Sequence, residues 1–194
     1  LMTRHDYFCE IVSSSLFPYT HVSLPQIMEV VIDLPYKKKM EIFDLYRGER
    51  KTRRDRTGRG LEAGYPLTFD LVGSFAEYRD LERHRMLTQQ RQLLTPELGF
   101  IMPLEMEIIG LEKEVEEVES MISDLNNNLR HAGLVEAAQY ATLFNHRVRF
   151  MLGMNLREFQ HLSELRTETA GHFGYRAMVQ EMARQVKVMY PWAE

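Results

Sequence analysis

Between Tyr65 and Val72 the apolar side chains Leu67, Phe69 and Leu71 alternate with Thr68 and Asp70, the two-residue period of a strand with one buried face. Ser74 and Glu77 follow as an S-x-x-E capping box, which predicts a helix from Phe75 to Leu94, ended by Pro96. A second helix is expected over 104–130. Its apolar residues Leu111, Val115, Val118, Ile122, Leu125 and Leu129 recur at spacings of four and three. The seven glutamates between Glu105 and Glu119 read as its wet face. The seam itself suits packing in a helical bundle or between subunits, although it is short for a coiled coil. Gly133 marks a break, and a further helix is expected from Leu134 to Leu152. Asn155 and Glu158 repeat the capping logic at the start of NLREFQHLSELR. The loop TETAGHFG then leads to a last helix, Tyr175 to Met189, stopped by Pro191. Residues 1–46 read as short helices interrupted at Pro18, Pro25 and Pro35. The pattern is that of a mainly helical protein with a small sheet.

Composition narrows the class. At 194 residues, 44% hydrophobic and 27% charged, the chain is long enough to bury a core, and one domain is the default. A formal charge of −4 excludes a surface that is everywhere an electrostatic trap for nucleic acid. The local exception is RGERKTRRDRTGRG, residues 47–60, with seven basic side chains against two acidic ones. It has no interleaved aromatics on which bases would stack, so a solvated connector is the simpler reading and nucleic acid is not an expected partner. No apolar stretch of membrane-spanning length and no signal-peptide order is present, so a cytoplasmic location and no membrane partner are expected. Cys9 is the only cysteine and has no disulfide partner within the chain; a buried, idle thiol is the expectation. The chain opens at Leu1 in place of a start methionine, as a piece of a longer protein would.

Candidate chemistry is concentrated in two segments. Arg83, His84 and Arg85 are adjacent, and inside the expected helix their side chains would point about 100° apart, so at least one turns toward protein or a cofactor. Surface ion pairing with Glu77, Asp80 or Glu82 is the plainer alternative. After Asn155, Arg157, His161 and Glu164 share one helix face, while Phe159, Leu162 and Arg166 share another. An arginine ending an apolar stripe needs a partner, so Arg166 is either an internal salt-bridge residue or a ligand contact. His84 and His161 lack ligating spacing, and no metal site is expected. G-x-S-x-G, P-loop and G-x-G-x-x-G motifs are absent from the sequence.

Taken together, LTFDLVGSFAEYRDLERHRMLT and NLREFQHLSELR resemble the two signature regions of flavin-dependent thymidylate synthases, an Arg-His-Arg motif and a later Asn-x-Arg that precedes a Leu-Arg pair. Asn155 stands eleven residues before Arg166, with Arg157 and Leu165 in register. The resemblance implies an α+β fold, mainly helical with a small antiparallel sheet. It implies a helical N-terminal segment and basic connector at 1–60 and the synthase-like domain at 61–194, forming one compact unit. It also implies FAD as cofactor, held by Arg83, His84 and Arg85 and, from another subunit, by Asn155, Arg157 and His161. Arg85 and Arg166 would contact substrate, with Arg166 as the catalytic arginine beside the uracil ring. The reaction would be methylene transfer from methylene-tetrahydrofolate to dUMP, with a flavin hydride, in dTMP biosynthesis. The assembly would be a homo-oligomer, a tetramer by resemblance, or a pairing with a tandem module. GERKTRRDRTGRGLE, RDLERHRMLTQQRQLLT and ELRTETAGHFGYR look like the C-terminal module of a longer, two-module branch of the family.

The sequence departs from the family pattern at four positions. Leu93 and Thr95 stand where the family has serine and arginine, Gln139 where it has a second phosphate-binding arginine, and Asp80 where it has glutamine. Leu93, Thr95 and Gln139 carry the alternative expectation of a non-catalytic module of the same fold that scaffolds or completes sites on a partner domain. His172 and Arg176, in GHFGYR, read as either loop structure or site residues.

Overall fold

The computed structural model describes residues 4–64 and 66–193, with side chains from Tyr7 onward. Tyr65, the expected first residue of the strand, lies outside the described residues. The architecture is α+β: a three-stranded antiparallel sheet among helices. The strands are β1 (Leu67–Ser74), β2 (Thr88–Arg91) and β3 (Arg147–Met154), in spatial order β1-β3-β2. The chain forms two compact units, residues 1–69 with 153–194 and residues 70–152, so β1 and β3 are the strands through which the chain leaves one unit and returns to it.

The first unit is built from both ends of the chain. Helices α1 (Arg4–Leu16), α2 (Leu24–Asp33) and α3 (Tyr36–Arg47) open it. Pro25 starts α2 and does not break it, because a first-turn proline gives up no helical hydrogen bond. Phe8 stacks on Trp192 with ring centroids 4.6 Å apart, and Phe43 meets the same indole edge-on at 5.6 Å. The N-terminal helices thus share an aromatic core with the YPW end of the chain. Cys9 is fully buried, and the buried Lys39 ammonium beside it donates to the Ile32 carbonyl at 2.9 Å.

The connector packs closely against these helices. A side chain at Gly60 would press on the backbone and hydroxyl of Ser15, which favours glycine there, and one at Gly58 would have to displace the Tyr46 ring. Asp55 closes a turn by accepting from the backbone N–H groups of Lys51 and Thr52 at 2.9 and 2.7 Å. These bonds hold the exposed Asp55 carboxyl below its ordinary range. Helices α8 (Leu156–Arg166) and α9 (Phe173–Met189) complete the unit, with Leu162, Val179 and Met182 buried and Phe69 stacked on Phe159 at 5.8 Å.

The second unit departs from sequence expectation at three places. Helix α4 spans only Phe75–Leu81, and the chain then turns into β2, so Arg83–Arg85 sit in a turn and not inside a helix. The Gln89 amide caps the freed Glu82 and His84 carbonyls at 2.9 and 3.1 Å, which lets the helix end there. The expected helix over 104–130 is two, α5 (Leu104–Ile109) and α6 (Glu112–His131), because Gly110 adopts a left-handed conformation with φ 74°. The expected helix over 134–152 is a single turn, α7 (Val135–Ala138), followed by β3. In β3, Val148, Phe150, Leu152 and Met154 are buried while Arg147 and Arg149 point out, a two-residue period that pairing on both edges stabilises.

The capping box at the start of α4 is present in full. Ser74 Oγ accepts from the Glu77 N–H at 3.2 Å, and the Glu77 carboxylate accepts from the Ser74 N–H at 2.8 Å. Ser74→Ala is expected to cost about 1–2 kcal/mol, read as a lower urea midpoint with unchanged secondary structure.

Candidate functional site

In the first unit, the site candidates lie along α8. Asn155 caps it, its side-chain oxygen accepting from the Glu158 N–H at 2.9 Å. Arg157, half-buried, is ion-paired with Glu62, which fixes the direction of its guanidinium. His161 is exposed on the same face. Glu164 takes Arg50 of the connector in a two-point ion pair, and Glu168 takes Arg53 at 2.6 Å. Thr57 adds a bond to Gln160 at 3.1 Å. Two of the seven basic connector side chains are therefore engaged with acids at and beyond the end of α8, the behaviour of a docked connector.

Arg166 is 9% exposed at the last turn of α8, with its guanidinium 5.4 Å from the centre of the Tyr175 ring. The ring face attracts the cation. His172 is the N-cap of α9, its Nδ1 accepting from the Gly174 N–H at 3.2 Å, so this loop histidine has a structural task. The Nε of Arg176 is buried without a hydrogen-bond acceptor.

In the second unit, Arg83 is exposed and pairs with Asp80 at 2.8 Å, as the ion-pair alternative anticipates. His84 is buried in the turn, and Arg85 is exposed to solvent. The turn separates these three side chains: one faces protein and two face outward. Leu93, Thr95 and Gln139 are brought together here. The Gln139 side-chain oxygen accepts from the Leu94 N–H at 3.2 Å and from Arg91 at 3.4 Å. Thr95 caps the turn at Pro96, accepting from the Glu97 N–H at 3.1 Å. The Gln139 amide thus holds the segment that carries Leu93 and Thr95 through the backbone of Leu94.

Sequence reasoning missed the buried pair of His146 and Glu119. Glu119, assigned to the wet face of its helix, is buried and lies 2.5 Å from His146 Nε2. His146 Nδ1 accepts from the Leu143 N–H at 2.8 Å, so the neutral ring carries its proton on Nε2, the nitrogen that faces the carboxylate. Desolvation lowers the His146 pKa, with Glu119 opposing it. No spacing rule links the two positions, since the contact depends on where β3 begins.

Among the described residues no three His, Cys, Asp or Glu side chains gather as a metal site, and no helix is long and apolar enough to cross a membrane. The model of the family described as thymidylate synthase complementing protein matches residues 61–192, which includes both the Arg83–Arg85 turn and α8. A UPF0159 protein of Chlamydia muridarum is 33% identical over 96% of this chain and 35% of its own length. A UPF0159 protein of Chlamydia pneumoniae is 31% identical over 97% and 35%. A UPF0159 protein of Thermoplasma acidophilum is 31% identical over 77% and 30%. The chain spans about a third of the length of these curated relatives. With more than half of its residues matched, the chain belongs to the thymidylate synthase complementing protein family, that of the flavin-dependent thymidylate synthases.

Proposed function

We propose that this chain is a module of a flavin-dependent thymidylate synthase, acting in the transfer of a methylene group from methylene-tetrahydrofolate to dUMP. The observation that carries the reading is the family match across both donor segments, each of which offers cationic or hydrogen-bonding groups at its surface. The exposed Arg85 guanidinium and His161 imidazole, with Arg157 oriented by Glu62, fit the demand of an anionic dinucleotide for charge-assisted donors. Arg83, His84, Arg85, Asn155, Arg157 and His161 would hold FAD, the two groups serving flavins from different subunits. Reduced FAD, when bound, supplies the hydride that turns the transferred methylene into a methyl group. Arg85 and Arg166 would bind the nucleotide, Arg166 offering positive charge to the activated ring.

A second reading, favoured by one observation, is a module that keeps the fold and completes sites on a partner without turning over itself. Gln139, bonded to Leu94 between Leu93 and Thr95, occupies a region where the family places arginines. Each hydrogen bond lost between arginine and phosphate removes about 1.5–3 kcal/mol.

One experiment divides the two. The purified chain is titrated with FAD while its absorbance is followed, then assayed with reductant, folate and C5-tritiated dUMP. Flavin uptake with tritium release is the expected result. Tritium release excludes the second reading, flavin uptake without release selects it, and a colourless chain that takes up no FAD overturns the first.

A further inference from the structure

Two polar side chains at the corner between α8 and α9, both in the first unit, have no counterpart among the described residues. Arg176 is half-buried in the first turn of α9, and no hydrogen bond or ion pair to a described residue engages its guanidinium. Its Nε is closed to water as well. Ser163, in the last turn of α8, has a buried hydroxyl without a partner, although helix serines commonly bond back to the carbonyl four residues earlier. The two helices pack on each other. Ser163 stands three residues before Arg166, the end of α8, and Arg176 three after Phe173, the start of α9, so both lie at the same level from the corner.

The charges run against the ordinary helical pattern. The N-terminal end of a helix carries partial positive charge and favours acids. The first turn of α9 has no acid and ends on an arginine. Two of its N–H groups are already taken by His172, Gly174 bonding to Nδ1 and Arg176 to the carbonyl oxygen. A part-desolvated cation at the positive end of a helix, with no carboxylate beside it, is costly, and a bound anion offsets that cost. The side chain stays part-exposed, so an anion from solvent reaches it. Arg166 comes to the same corner, its guanidinium over the ring of Tyr175, the neighbour of Arg176 in α9. The nucleotide whose ring Arg166 would serve carries a phosphate monoester, and the chain has Thr95 and Gln139 where the family has arginines. A guanidinium and a hydroxyl together supply the donors that phosphate oxygens need.

We propose that Arg176 and Ser163 form a phosphate-binding site at the α8–α9 corner that takes the monophosphate of the nucleotide substrate, an assignment that rests on the synthase reading. The test is equilibrium dialysis of the 194-residue chain, with and without FAD, against labelled dUMP and against labelled deoxyuridine, which lacks the phosphate. The parent is expected to prefer dUMP. Arg176→Ala is expected to weaken dUMP binding by about tenfold to a hundredfold while deoxyuridine binding and FAD uptake are unchanged. Arg176→Lys keeps the charge without the planar fork and is expected to fall between parent and alanine variant. Ser163→Ala is expected to weaken dUMP by about fivefold. Circular dichroism without nucleotide separates lost fold from lost binding, and the lysine and serine variants carry the test should the alanine variant unfold. A parent that binds no dUMP, an affinity for dUMP indifferent to Arg176, an equal loss of dUMP and deoxyuridine, or a loss confined to FAD overturns the proposal. An Arg176-dependent preference for dUMP without tritium release keeps the site and removes the reaction, whereas tritium release with an unmoved dUMP affinity does the reverse.

Discussion

Arg166→Ala is expected to lower tritium release from dUMP by about 10²–10³-fold while FAD uptake persists. The expectation follows from where α8 leaves this side chain. Arg166 is 9% exposed, its guanidinium held over the Tyr175 ring at 5.4 Å. A buried cation already held in place before the substrate arrives needs little reorganisation when charge develops on a neighbouring ring. Arg166→Lys separates charge from shape. Lysine keeps the cation but loses the planar fork, so activity is expected to fall between those of the parent and the alanine variant. A purely structural arginine behaves differently: the alanine variant would melt earlier, yet turn over normally per bound flavin. Turnover within about twofold of the parent on that basis would exclude a catalytic arginine at this position.

His146→Ala is expected to be the most destabilising single change in the second unit, at about 3–5 kcal/mol, because it strips the Glu119 carboxylate of its buried partner. The same pair predicts a pH dependence. Burial lowers the His146 pKa from its ordinary 6.5, so between the folded value and 6.5 the unfolded chain binds the extra proton. The stability contributed by the neutral imidazole is therefore complete above about pH 6.5 and declines as pH falls below it. Protonation would also forfeit the Leu143 N–H bond to Nδ1. Urea midpoints measured from pH 5 to 8 should slope in the parent and flatten in His146→Ala. An alanine variant with parental stability and slope would show that the pair contributes nothing.

Much of the fold was legible because its signals are local. The Ser74–Glu77 box, the Asn155 cap and the Pro191 stop each act within one turn of helix, and each appears where the sequence places it. What failed is decided at a distance. Residues 147–154 carry apolar groups at a period that a longer helical window absorbs, and only pairing with two other strands makes them β3. Helix α4 stops at Leu81 because Gln89 reaches back to cap it, a contact no periodicity announces. The candidate site divides in the same way. Helix α8 was readable as a face bearing Arg157 and His161, whereas the Arg83–Arg85 triplet was assigned to a helix and lies in a turn. The clustering of Leu93, Thr95 and Gln139 was invisible until the end of β2 and the segment after α7 were placed.

The first unit is composed of residues from both ends of the described chain, with Phe8 against Trp192, while residues 70–152 form the other unit without interruption. During synthesis the continuous unit has all of its residues as soon as Leu152 emerges, but the aromatic core of α1 and α3 waits for the final turns. Until then Phe8 and Phe43 have no indole to cover them. Between the synthesis of α3 and that of Trp192 the nascent polypeptide therefore carries this apolar surface uncovered, the condition under which chaperones engage.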